Sequence, residues 1–190
     1  MDELAHLEGL IGRLTARITE VLPAPFVEAI KRLATIPGID VRAAENIVAE
    51  TGVDMDVFPT SGHLASWVGM CLGQRESAGK RQSGRTRKGN QWLRTTLVQV
   101  AWAASRTKRT YLSAQYRRLA GRRDKKRALV AVGHTILMMI YHMLRRGTTY
   151  AELSADYFDR LDTERLTRTL VRRLERLGHE VVLKPKEPAA

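Results

Sequence analysis

A chain of 190 residues, 44% of them hydrophobic, can bury one core without covalent staples, and its single cysteine, Cys71, excludes an intrachain disulfide. Lys and Arg number 32 against 20 Asp and Glu, a net charge of +12, which points to a polyanionic partner, nucleic acid first. No stretch reads as apolar enough to span a bilayer, and the acidic N terminus is no targeting peptide; the expectation is a cytoplasmic, nucleoid-associated protein with no membrane partner.

Leu4, Leu7, Ile11, Leu14, Ile18 and Val21 alternate by three and four residues, the seam of a coiled coil. Gly9 and Gly12 weaken the helix, and Pro23 and Pro25 end it. The stripe fits either self-association, which so regular a 3.5-residue period favours, or packing on the same chain. A short helix is expected over 26–34, a break at Pro37-Gly38, and a second helix over 41–50 that Gly52 ends. Thr60 or Ser61 can cap a helix carrying Leu64, Trp67 and Val68. From Cys71 to Asn90 periodicity stops, in a Gly-, Ser- and Arg-rich loop. Helices follow over 91–106, with Trp92 counted among its apolar positions, and over 111–120. Asp124 then caps a long, broadly apolar helix closed by Gly147, the expected core. A last helix from Asp162 or Thr163 to Gly178 places Leu166, Leu170, Leu174 and Leu177 inside, and 181–183 could add a short strand. The fold class is all-α, divided into a coiled-coil-like helix (1–25), a helical domain (26–157) and a C-terminal helix with tail (158–190).

Two constellations carry chemistry. Ile36-Pro37-Gly38-Ile39-Asp40 between two helices, the second ending in Thr51-Gly52, resembles a helix-hairpin-helix. There Gly38 would admit a phosphate to the backbone, and the N–H groups at the next helix start would bind it; the plain alternative is an ordinary helical hairpin. The second is the loop from Gly73 to Asn90, with Arg75, Lys80, Arg81, Arg85, Arg87 and Lys88 set among small residues and Arg94 just beyond. Its Gly-to-Lys spacing is not that of a P-loop. Ser77 and Ser83 are its central hydroxyls. A serine facing a phosphodiester among guanidinium groups could attack phosphorus, although most loop serines only hydrogen-bond. The five histidines and one cysteine make no zinc pattern. Asp54 and Asp56 read as a solvated turn, and Trp67, Trp92 and Trp102 as packing residues.

The ordered series Ile36-Pro37-Gly38-Ile39, Phe58, Leu64-Ala65-Ser66-Trp67-Val68-Gly69, Ser77-Ala78-Gly79-Lys80, Gly84, Lys88-Gly89-Asn90 and Leu93-Arg94 resembles the C-terminal transposase domain of the IS-one-ten family of insertion sequences, relatives of the Piv and MooV invertases. Later residues, from Lys126 to Tyr150, extend the likeness, which covers about Ala34 to Tyr157. The resemblance implies that Ser77 is the nucleophile of DNA strand cleavage and rejoining, in a DNA-binding recombinase domain. The two constellations make Pro37, Gly38, Ile39, Arg75, Lys80, Arg81, Arg85, Arg87, Lys88, Asn90 and Arg94 the candidate DNA contacts. The resemblance also implies a resolvase-like partner domain holding a divalent metal, magnesium by expectation, together with homo-oligomerisation and a guide RNA. Ala78 stands where the family usually has a first glycine, and Leu72 where proline is common; both bear on loop geometry and neither removes the hydroxyl. The acidic metal-binding domain is not found in these residues, so the expectation is a chain that needs such a domain in trans. The alternative is a non-catalytic DNA- or RNA-binding remnant of a truncated transposase.

Overall fold

The computed structural model describes residues 2–71, 75–77, 80–83, 86, 88–122 and 124–184, without the side chains of 2, 75–77 and 80–83. Nine helices and one two-stranded hairpin are defined among these residues: α1 (Asp2–Val21), α2 (Ala24–Leu33), α3 (Val41–Thr51), α4 (Ser61–Val68), β1 (Arg75–Ser77), β2 (Lys80–Ser83), α5 (Gln91–Arg106), α6 (Tyr111–Ala120), α7 (Lys125–Arg146), α8 (Tyr157–Leu161) and α9 (Thr163–Arg176). The all-α class holds, with the hairpin as its one β element among the described residues.

Local chemistry sets the boundaries. Asp40, Thr60, Asn90, Thr110, Asp124 and Asp162 each turn a side-chain oxygen onto a backbone N–H at the start of the helix that follows, a contact worth about 1 kcal/mol apiece. Gly69 and Gly147 close α4 and α7 in the left-handed conformation. Asp54 caps the 3-10 turn Met55–Val57 by accepting from the Asp56 N–H, the solvated turn expected there.

Helix α7 is the centre of the core. It packs against α2, α4, α5 and α6 and buries Val132, Ile136, Leu137, Ile140 and Tyr141 on one broad face. It is long and apolar enough to cross a membrane by length and composition, contrary to the sequence expectation, and 44% of that stretch is buried inside the fold. The Tyr141 hydroxyl donates to the Phe58 carbonyl at 3.0 Å and accepts from Arg145 at 2.6 Å, tying α7 to the turn before α4.

The two ends of the chain differ from the core. The seam of α1 is exposed throughout, from Leu4 at 70% to Ile18 at 39%, so its apolar stripe does not pack on the described part of its own chain. Helix α9 corrects an expectation. Leu170, Leu174 and Leu177 are exposed, Leu166 is only half-buried, and no residue of the helix is buried. Its leucine spacing predicts a helix correctly but cannot say whether a partner face is present. Residues 181–184 form no strand. Helix α8 was not foreseen; its five residues are too few to show a period.

Candidate functional site

The turn between α2 and α3 is built for packing. Ile36 and Ile39 are buried, and backbone bonds from Ile36 to Leu33 and from Ile39 to Ile36, both 3.0 Å, wind the chain tightly. Gly38 adopts φ +92°, and a Cβ there would lie 2.6 Å from the Ala104 nitrogen and 2.8 Å from the Val100 oxygen of α5. The missing side chain thus admits a neighbouring helix. At the start of α3 the Asp40 carboxylate already accepts from the Ala43 N–H at 2.7 Å, so the anion at that helix end is the chain's own. Of the three residues expected to meet a phosphate, Gly38 packs against α5 and Ile39 lies in the core.

The basic loop contains structure that its composition hides. Strands β1 and β2 pair antiparallel, with Arg75 opposite Ser83, Glu76 opposite Arg81 and Ser77 opposite Lys80, and a register shift between Arg75 and Glu76. Ser77 therefore ends one strand across from a lysine position, close to the hairpin turn. The side chains of Arg75, Ser77, Lys80, Arg81 and Ser83, and the whole of Arg85 and Arg87, lie outside the described residues. Lys88 is exposed and Arg94 half-buried. Asn90 has a job within the protein. Its side-chain oxygen accepts from the Leu93 N–H at 3.0 Å, and its amide donates to Glu50 on α3 at 2.5 Å. Beside it, a Cβ on Gly89 would fall 2.4 Å from backbone atoms of Val68 and Gly69. The Lys88-Gly89-Asn90 motif thus anchors the end of the loop between α3, α4 and α5.

Sequence reasoning missed the outward face of α5. Trp92 is 79% and Trp102 52% exposed. With Thr95, Gln99 and Arg106, also exposed, they follow one helical stripe, opposite buried Leu93, Leu97, Val100, Ala101 and Ala104. The Arg106 guanidinium sits 3.2 Å from the centroid of the Trp102 ring, a cation–π contact. Between this face and α3 runs a cleft of about 540 Å³. The signal was available: Trp92 is one position off the Leu93–Leu97 line, which on a helix is about 100°.

Other nucleophile and metal candidates are poorly placed. The Tyr150 phenol donates to Glu152 at 3.1 Å, and burial first, then Glu152, pushes its pKa well above the ordinary value. Burial and then Tyr157 raise Tyr111 too. Both shifts run against a phenolate nucleophile. Burial lowers the pKa of His134, which lies on the core helix away from the loop in sequence. Among the described residues no three His, Cys, Asp or Glu side chains come together as a metal site.

Comparison with protein-family models gives the class of one segment: it is similar to a transposase family. Residues 30–117 match the model described as Transposase IS116/IS110/IS902 family, and that segment is a domain of this family. The match runs from the last turn of α2 into α6, takes in every residue of the basic hairpin, and ends before α7, short of the Tyr157 boundary read from the sequence. No curated protein matches the chain.

Proposed function

We propose that this chain is the DNA-binding, serine-bearing part of a site-specific recombinase, and that Ser77 attacks a phosphodiester in the DNA strand. The observation that supports this reading is the coincidence of the family match with the cationic hairpin that carries Ser77. In the proposed step the serine oxygen forms a bond to phosphorus, the P–O bond to the adjoining sugar breaks, and that sugar oxygen leaves as a hydroxyl with the proton. The ester energy is kept in the protein–DNA link, so reversal rejoins a strand without a nucleotide cofactor. The cations of the loop would offset developing charge. A resolvase-like partner domain would bring the divalent metal, which stabilises charge or activates the hydroxyl when bound. A guide RNA belongs to the same proposal through the family. The direct test is the fate of the covalent link in a Ser77 variant.

The binding half is tested separately by salt. Each neutralised phosphate releases condensed counterion, so a face engaging about six phosphates loses roughly a thousandfold in affinity from about 50 to about 200 mM salt. Anisotropy titrations with labelled DNA are expected to show that slope. A flat response, or no binding at low salt, would overturn DNA binding.

Self-association is the third part of the proposal, and the exposed seam of α1 supports it. A heptad stripe without a partner gains stability by pairing with a second copy. Leu7→Asp together with Leu14→Asp is expected to shift the mass seen by light scattering toward monomer. An unaltered protein that is already monomeric at high concentration would refute pairing through α1.

A further inference from the structure

We propose that the outward face of α5, with the cleft between α5 and α3, binds unpaired nucleobases of a single strand. The inference rests on the nucleic-acid reading above and names the part of the ligand this face takes.

Two indoles held out in water are the starting observation. Trp92 and Trp102 stand 79% and 52% exposed on one stripe of α5, ten residues apart, about 15 Å along the helix. Each indole would bury a large apolar area against a partner. The residues between them on the stripe, Thr95 and Gln99, are polar and exposed. The face is therefore an alternation of aromatic and polar groups, unlike the continuous apolar centre of a protein–protein interface. Its charges are cationic: Arg106 stacks on Trp102 at 3.2 Å, and Lys88 is exposed just before the helix. Aromatic rings with cations alongside are the composition that holds single strands, the rings taking bases and the cations taking phosphates.

The cleft is the second observation. Its volume of about 540 Å³ is bounded by Trp102, Gln99 and Thr96 on α5 and by Asn46 and Arg42 on α3. A base stacked on Trp102 brings its edge toward Asn46 and Gln99, whose amides offer both donors and acceptors to a Watson–Crick edge. Asp40 also borders the cleft, and its carboxylate is engaged with the Ala43 N–H. A paired base offers neither a free ring face nor a free Watson–Crick edge, so the arrangement selects unpaired nucleotides over duplex.

The test compares short oligothymidylate, oligouridylate and a fully paired DNA duplex by anisotropy at fixed low salt. Trp92→Ala and Trp102→Ala are each expected to weaken single-strand binding by about tenfold while leaving duplex affinity unchanged. Trp102→Phe, which keeps a ring, is expected to recover most of the loss. The deoxy and ribo strands separate the two sources of unpaired bases, and a loss on either supports the face. Both residues are exposed, so circular dichroism melts should match the unaltered protein. Equal losses on duplex and single strand, or unchanged single-strand affinity, would overturn the inference and leave the DNA-binding reading intact. A fall in mass by light scattering on either substitution would assign the face to a protein partner instead. No binding of any nucleic acid by the unaltered protein would overturn the reading beneath it.

Discussion

Ser77→Ala is expected to eliminate the covalent protein–DNA adduct outright in a complex assembled with a resolvase-like domain, supplied in trans or by fusion. The substitution removes the one atom that forms the bond to phosphorus in the proposed step and removes no charge, so DNA affinity and its salt slope should stay where they were. Ser83→Ala is the internal control. It lies on β2 opposite Arg75, whereas Ser77 lies on β1 opposite Lys80, and the two differ in the family resemblance, which singles out Ser77 alone. End-labelled DNA on denaturing gels, followed by peptide mass mapping, reads the outcome. An adduct that survives Ser77→Ala or maps to Ser83 would falsify the assignment. A correctly assembled complex that forms no adduct would favour a binding module without chemistry.

What the sequence disclosed is what local rules govern. The bounds of α7 follow from Asp124 as cap and Gly147 as stop, both signals confined to one turn of chain. The centrality of α7 was visible because its apolar face is broad enough to need several neighbours. What the sequence left hidden depends on what the rest of the chain does. Leu170 and Leu174 of α9 and the seam of α1 carry the pattern of buried positions, yet they are exposed. A period specifies a face and leaves its partner unspecified.

The site shows the same division. Gly38 and Asn90 stand out in the sequence, but their packing partners do not. Gly38 makes room for α5, and Asn90 bonds both the helix it starts and Glu50 forty positions earlier. Such long-range partners leave no trace in local spacing. Aromatic residues on helices usually pack, so Trp92 and Trp102 look like packing positions, although the angle they make with Leu93 and Leu97 points them outward. The hairpin of β1 and β2 was hidden by composition, since Arg, Ser and Gly announce neither alternation nor a hydrophobic face.

Gly38→Ala is expected to be strongly destabilising. Two costs add. At φ +92° an L side chain is strained by about 1–2 kcal/mol, and the new Cβ would lie 2.6 Å from the Ala104 nitrogen and 2.8 Å from the Val100 oxygen. Those atoms are backbone of α5, which cannot swing aside as the end of a flexible side chain can. Overpacking of this kind costs about 1–3 kcal/mol, and the sum, roughly 2–5 kcal/mol, is a large part of the ~5–15 kcal/mol that stabilises an ordinary domain. The melting temperature should fall by roughly 5–15 °C for a chain of this size. Gly52→Ala separates the two terms, because Gly52 also has positive φ, +69°, but a Cβ there would meet nothing within 4 Å. It should lose only the backbone part. The difference between the two melts then measures how tightly the α2–α3 turn is pressed onto α5, the contact that also fixes the floor of the cleft beside Trp102. If Gly38→Ala melts no lower than Gly52→Ala, the turn does not rest on α5, and the packing role given to Gly38 is wrong.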